Sequence, residues 1–284
     1  MHNHSAQFRL SVMARILQVS RSRFYAWRQR QFIRPGPGQQ RCHERDEMVM
    51  LAFEAGKGRS GSPRLVLDLN DAGHSCERKT VANSMMRQGL RAKAAKKFKV
   101  TTNSKHNLPV AENLLQQDFT ATAPNQRWVG DITYLWTDEG WLYLAAVIDL
   151  YSRMVVGWAM SERMAANLVC EALTMALWRR KMPSGIIDRS DRGSQYCSSA
   201  FQGLLDRHGL TCSMSAKGNC YDNACAESFF HTVKVEAIHG ERIRTREAIR
   251  RTVFEYIEVD YSRNRRHSAN GQISPEAFET KLVS

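Results

Sequence analysis

The sequence predicts an α/β protein: a mixed five-stranded sheet with flanking helices, preceded by small all-α units. Three observations lead there. Near residue 125 the chain changes character, from helix-periodic and cationic to β-branched and aromatic. Residues 128–160 then read as three strands joined by short turns. After them helix and strand patterns alternate, ending on the stretch Met214-Ser215-Ala216-Lys217-Gly218-Asn219-Cys220-Tyr221-Asp222-Asn223 and a helix.

Charge separates the same two parts. Residues 1–110 hold 21 Lys/Arg against 7 Asp/Glu, whereas residues 111–284 hold 20 against 21. A basic module releases the counterions of a polyanion, so nucleic acid is the expected partner. A solubilising surface is the alternative. No apolar run reaches the roughly 18 residues of a membrane span, and the start lacks a signal-peptide pattern. The seven cysteines have neither disulfide nor zinc spacing. We read them as small, mostly buried residues in a reducing, cytoplasmic setting.

Taken in order, residues 9–30 suggest two short helices. Val12, Ile16 and Leu17 mark the first. Ser20 or Ser22 caps the second, which carries Phe24, Ala26 and Trp27 on one side and Arg21, Arg23, Arg28 and Arg30 elsewhere. This layout is that of a helix-turn-helix reader, or of a helical hairpin for protein contact. Pro35-Gly36-Pro37-Gly38 reads as a linker. A second helical unit follows, with helices from Asp46 to Ala55, from Arg64 to Asn70 with Ser62 as cap, and from Lys79 to Gln88. Its loop spells Gly56-x-Gly58-x-x-Gly61, but helices flank it, so the dinucleotide-binding reading is rejected. Arg91, Lys93, Lys96, Lys97 and Lys99 then form a basic tether suited to phosphates, or a solvated linker.

The sheet should comprise a strand around Trp128–Leu135, a fully buried one over Trp141–Ile148, a third over Met154–Met160, a fourth over Gly185–Asp188 and a fifth over Leu210–Met214. Helices are expected over Met164–Arg180, Ser199–His208 and after Asp222 or Asn223, either of which could cap the last. Met154, Met160, Met164, Met175 and Met182 are read as core filling. The final Arg-rich segment, Glu241 to Arg266, suggests a helix that packs on the core and tracks DNA, with ion pairing as the simpler account. The resulting division is 1–34, 44–95, a basic linker 96–118, a core 119–240 and an extension 241–284.

Three acids stand at distinctive places: Asp131 in the first strand, Asp191 past the fourth, and Glu227 on the helix after the fifth. Sites form where the carboxyl ends of neighbouring parallel strands meet. Carboxylates converging there can hold magnesium, and two such ions clamp the oxygens of an in-line phosphoryl displacement. Each acid alone has an ordinary reading as a strand-edge charge, an Asx turn or a solvated side chain.

Asp191 and Glu227 have 35 residues between them, and Lys234 follows Glu227 by seven. That spacing resembles the insertion-sequence transposases of the IS-three group, relatives of retroviral integrases. Gly130-Asp131-Ile132-Thr133-Tyr134, Ser190-Asp191-Arg192-Gly193-Ser194-Gln195-Tyr196, Lys217-Gly218-Asn219-Cys220-Tyr221-Asp222-Asn223-Ala224 leading to Glu227-Ser228-Phe229-Phe230, Tyr261, Arg266-His267-Ser268 and Ser274-Pro275 carry the likeness over nearly the whole chain. The resemblance implies an RNase H-like core and a magnesium-dependent Asp131–Asp191–Glu227 triad that is both catalytic and metal-binding, with manganese as a substitute. It also implies cutting and joining of element ends, and an upstream-frame product (OrfA) as fusion or partner to this second-frame product. On it we place DNA contacts at Lys234, Lys217, Asn219, Tyr221, Asn223 and Arg192, besides Arg91, Lys93, Lys96 and Lys97 of the tether. A homo-oligomer on double-stranded DNA and a bacterial, nucleoid-associated location complete the expectation. Arg189 stands where the family often has His, and Ser60 where it often has Tyr. Arg189 adds a cation that would reach phosphate. A DNA-binding regulator and a structure-selective nuclease remain the alternatives.

Overall fold

The computed structural model describes residues 4, 7–32, 36–93, 111, 120–214, 224–241 and 243–281, with side chains omitted for 30–32. It divides into two compact units, Met1–Arg91 and Ala92–Ser284.

The first unit is helical. Helix α1 spans Leu10–Ile16 and α2 Arg21–Phe32. Ser20 Oγ accepts the Arg23 N–H at 3.1 Å, so Ser20 is the cap. Of the expected apolar residues only Phe24 is buried, joined by Ala14; Val12, Ile16, Leu17, Ala26 and Trp27 are exposed, because two short helices enclose little volume. Helix α3, Pro37–Ala55, begins nine residues before the expected Asp46. Pro37 suits a first helical position, where its fixed φ helps and its missing N–H costs nothing. Helices α4 (Ser62–Asp71) and α5 (Arg78–Arg87) close this bundle around Val49, Leu65, Leu69, Val81 and Met85. Gly61, not Ser62, caps α4. Asp46 ties α3 to α5, accepting from Ser84 Oγ and Arg87 Nη2, each at 2.6 Å.

The second unit is built on the expected mixed sheet. Its strands are β1 (Arg127–Thr137), β2 (Gly140–Asp149), β3 (Val155–Ser161), β4 (Ile187–Ser190) and β5 (Thr211–Met214), in the order β3-β2-β1-β4-β5. The first three form an antiparallel meander, and β4 and β5 run parallel to β1. Strand β4 ends at Ser190, two residues beyond the expected Asp188, because its register carries through to Ser190 opposite Met214.

Alternation along β2 supplies two cores. Leu142, Leu144, Ala146 and Ile148 face helix α8 (Ala224–Val233), α9 (Arg246–Glu255) and the π-helical segments Lys234–Ile238 and Tyr256–Asn264. Ala145 and Val147 face α6 (Ala166–Arg179) and α7 (Ser199–Arg207). Each fully buried aliphatic side chain contributes roughly 1.5–3 kcal/mol. Gly157 fixes the approach of α6: a Cβ there would stand 2.2 Å from the Ala172 carbonyl oxygen. A short helix α10, Pro275–Thr280, ends the described chain, with Ser274 as its cap.

Several expectations about side chains change. Trp141 is exposed at the end of β2, and Met164 and Met182 are exposed beyond the ends of α6, where no second layer covers them. Of the six described cysteines only Cys197 is buried; the others are half-buried. The Arg-rich extension starts its helix at Arg246, and many of its arginines are held by the protein. Arg265 pairs with Glu236 at 3.0 Å, Arg246 with Glu162 at 2.9 Å, and Arg250 donates to the Met160 carbonyl at 2.8 Å. Tyr256 also donates to Glu236, at 2.8 Å. Among the described residues no helix is long and apolar enough to cross a membrane.

Candidate active site

The parallel pairing of β1 with β4 sets the geometry. Val129 lies opposite Arg189, so the same register continued by two residues brings Asp131 level with Asp191. Asp131 is half-buried, and its Oδ1 accepts the Ile132 N–H at 2.7 Å. Asp191 opens the turn after β4 and accepts the Gly193 N–H at 2.8 Å. A Cβ at 193 would come within 2.8 Å of Asp191 Oδ1, so a side chain there would displace the carboxylate. Tyr196 closes that turn, its N–H bonded to the Gly193 carbonyl at 3.0 Å and its ring buried against Phe201.

Helix α8 brings the third acid. Ala226, Phe229, Phe230 and Val233 recur at helical spacing and fill the core, which leaves Glu227 exposed in the first turn. Lys234 begins the π-helical turn at the end of α8 and is half-buried. Its Nζ lies 4.9 Å from the centre of the Tyr134 ring.

Electrostatics tie the four together. The Asp131 carboxyl is pushed well above the ordinary carboxylate range, first by burial and then by Asp191, with Glu227 adding to it; the Ile132 N–H and Lys234 oppose the rise. Burial pulls the Lys234 ammonium down, against the pull of Asp131. The Tyr196 phenol is raised by burial and then by Asp131, Asp191 and Asp188. Among the described residues no three His, Cys, Asp or Glu side chains form a ready-made metal cage. The donor chemistry nonetheless fits a hard divalent cation: carboxylates that raise one another's proton affinity are what such an ion would neutralise.

The other expected contacts separate. Arg192 is half-buried beside Asp191, and Arg91 is exposed in the first unit. Lys93 is not left facing solvent for phosphate. Its Nζ pairs with Glu241 at 2.7 Å, because the chain entering the second unit runs beside the end of α8. Arg189 does not reach phosphate either: it is fully buried in β4, between β1 and β5. Lys217, Asn219, Tyr221 and Asn223, the capping positions Asp222 and Asn223, and Lys96 and Lys97 lie outside the described residues.

Sequence reasoning assigned no role to Tyr196, Tyr134 or Asp188. Tyr196 had one signal, an aromatic five residues past a candidate acid in a glycine turn. Asp188 had none, since one acid in a four-residue strand reads as an edge charge.

Comparison with known proteins bears on the whole chain. Two models, each described as an integrase core domain, match residues 121–220 and 227–282. Transposase InsF of insertion sequence IS3A from Escherichia coli K12 is 57% identical over 281 residues, covering 99% of this chain and 97% of the relative. The chain belongs to the IS3 family of transposases. It is a DNA-cleaving and joining enzyme of the Asp-Asp-Glu type, with an integrase core domain. A 31 kDa protein of insertion element IS600 from Shigella sonnei is 44% identical over 95% of this chain and 98% of its own. Among solved structures, a simian T-cell lymphotropic virus intasome chain aligns at TM-score 0.46 and 16% identity, covering 82% of this chain and 74% of its own. The HTLV-2 integrase catalytic core with magnesium aligns at 0.41 and 13%, covering 56% and 99%.

Proposed function

We propose that this IS3-family transposase nicks the ends of its element and joins the freed 3′-hydroxyl to DNA, with Asp131, Asp191 and Glu227 as catalytic acids. One observation carries the assignment: the parallel register of β1 with β4 sets Asp131 level with Asp191, and both Asp191 and Glu227 raise the Asp131 carboxyl. Their joint negative charge is suited to a pair of magnesium ions, with manganese as a substitute. When bound, the pair supplies Lewis-acid stabilisation of the attacking and leaving oxygens.

The chain's own residues would do the rest. In the first step water attacks the phosphorus, and the bond to the 3′-oxygen breaks with the proton returned to it. In the second, that 3′-hydroxyl attacks another phosphodiester and displaces its 3′-oxygen. Each step exchanges one P–O bond for another, so no side-chain nucleophile is needed. The Asp191 turn, fixed by Gly193, holds one carboxylate still. Glu227 stands on the rim, where solvent and strand enter. Lys234, between Asp131 and Tyr134, offers its cation to a phosphate of the same strand. Arg192, Arg91 and residues 217, 219, 221 and 223 would add contacts to the element's inverted repeats and target.

Holding two ends at once requires at least two catalytic chains, so a homo-oligomer on DNA is proposed, with OrfA as fusion or partner. The setting is the bacterial cytoplasm, at the nucleoid. The test is a magnesium-dependent strand-transfer assay on a plasmid carrying the flanking inverted repeats, run with the chain alone and fused to OrfA. Joined product from wild type and none from Glu227→Gln is expected. Equal joining by both would overturn the assignment of Glu227.

A further inference from the structure

The free end of the β1–β2 hairpin carries three aromatic rings on one face. Trp136 and Trp141 are register partners, and Tyr134 precedes Trp136 by two. The two indoles meet edge to face at 4.7 Å and 75°, and Tyr134 meets Trp141 at 5.0 Å and 87°. Folding does not consume this surface: Trp136 is 60% exposed and Trp141 43%.

Its position argues for what covers it. Tyr134 is three residues along β1 from Asp131, about 10 Å at the usual rise of a strand and on the opposite face of it. Lys234 spans the interval, over the Tyr134 ring and within electrostatic reach of Asp131. Arg246 lies against Gly140 in the hairpin turn, where a Cβ would be 3.1 Å from its Nη2, and pairs with Glu162. Arg244 is exposed, and its carbonyl accepts the Asp138 N–H at 2.9 Å. Asp138 and Glu139 are the acids of the turn, Glu139 accepting the Arg246 N–H. The nearest uncompensated function of the patch is therefore apolar and planar, with a cation on the side of the acids. That combination fits a nucleobase whose phosphate sits at Lys234. Inside a duplex both faces of a base are already stacked, so along the strand an indole face serves an unpaired base.

We propose that Trp136 and Trp141 form a stacking platform for unpaired nucleobases of the strand processed at Asp131, Asp191 and Glu227. The proposal rests on the reading of those acids as the active site. Strand separation at a cut end would then be stabilised beside the chemistry.

The test measures binding of the full chain to a fluorescent oligo(dT) strand and to a blunt duplex of the same length. Trp136→Ala and Trp141→Ala are each expected to weaken oligo(dT) binding about 10-fold, the loss of one base stack, with duplex binding changed less than about 2-fold. Trp136→Phe, which keeps an aromatic face, should retain most of the single-strand affinity and serves as the folding control. Failure of wild type to bind oligo(dT), equal loss on both probes, or no loss would each overturn the platform. A change in sedimentation of the DNA-free protein without a single-strand effect would overturn it too, and assign the patch to a protein contact. Glu227→Gln, measured alongside, should keep oligo(dT) binding and lose strand transfer. If it keeps strand transfer, the active-site reading falls while the tryptophan result still stands.

Discussion

The β1–β2 ladder carries two acids, Asp149 and Asp131, whose surroundings treat them in opposite ways. At Asp149, opposite Trp128, the carboxylate is closed off by the chain itself. It accepts N–H bonds from Asn125 at 2.8 Å and Tyr151 at 2.9 Å, with Arg180 3.9 Å away. Arg180 in turn forks onto Glu279 at 2.6 and 2.7 Å. Burial still pushes the Asp149 carboxyl up, with both N–H bonds and Arg180 resisting. Three residues away along the ladder, Asp131 meets Asp191 and Glu227, opposed among the described residues by the Lys234 ammonium. One set binds β2, α6 and α10 together. The other keeps a surplus of negative charge, which folding alone would not select. Acids whose partners lie within the chain are structural, and acids that repel one another are where we propose a ligand binds.

The largest expected effect breaks the second set. Asp191→Asn keeps the size of the side chain and removes one charge. Joined product in the strand-transfer assay should fall about 1000-fold or more, as for a member of a catalytic unit. Relief of repulsion at Asp131 should leave the thermal midpoint unchanged or raised. Asp149→Asn should do the reverse, lowering the midpoint while the folded protein still joins DNA. If the two substitutions behaved alike, the distinction would be lost.

Asp188 sharpens the comparison because it belongs to neither set. It lies in β4, 1% exposed, and among the described residues neither of its oxygens has a hydrogen-bond partner. Gly130, Tyr196 and apolar side chains surround it, too tightly to admit water. Burial alone raises its carboxyl from 3.8 to about 7. A raised carboxyl contributes stability that is fully present below the unfolded pKa and is lost as pH climbs through the folded one. Ionised Asp188 should thus cost about 4 kcal/mol above pH 7, at about 1.4 kcal/mol per unit. Asp188→Asn removes that loss. Urea midpoints at pH 5 and pH 8 should show the variant gaining on wild type as pH rises; a constant difference would contradict the assignment.

A smaller effect is expected in the first set. Arg180→Ala leaves the half-buried Glu279 without its cation and should cost about 2 kcal/mol, below the range for a fully buried pair. Replacing both partners, Arg180→Met with Glu279→Leu, should recover most of it. Strand transfer per folded molecule should not change.

How much of this was legible beforehand follows from the same contrast. The sheet was readable because β-branched and aromatic runs leave a strong local signal, as in Val129–Leu135 and Leu142–Ile148. The three acids were readable because each sits beside a chain feature, a strand, a glycine turn or a helix start. The early start of α3 was not, since Pro37 can break a helix or open one, and only packing of the residues after it decides. Exposure of Trp141, Met164 and Met182 was not, because it depends on where the second layer stops. The ion pair that takes Lys93 joins residues 148 positions apart. Arg189 and Asp188 show the limit most sharply: neighbouring polar residues that read as surface are both fully buried, on opposite faces of one strand.

The smallest effect tests the surplus charge directly, without turnover. An ion that binds only the folded protein stabilises it by RT ln(1 + [L]/Kd), about 1.4 kcal/mol at ten times Kd. For a unit of this size that is a rise of a few degrees in thermal midpoint. Magnesium should therefore raise the midpoint of wild type, and more at pH 8 than at pH 5, because ligation needs deprotonated carboxylates. Asp191→Asn should lose the increment. Asp149→Asn should keep it in full, even from a lower starting midpoint, because the Asn125 and Tyr151 N–H groups and Arg180 already occupy that carboxylate. An increment lost at Asp149 and kept at Asp191 would invert the assignment of the two sets and move the metal site to the wrong end of the ladder.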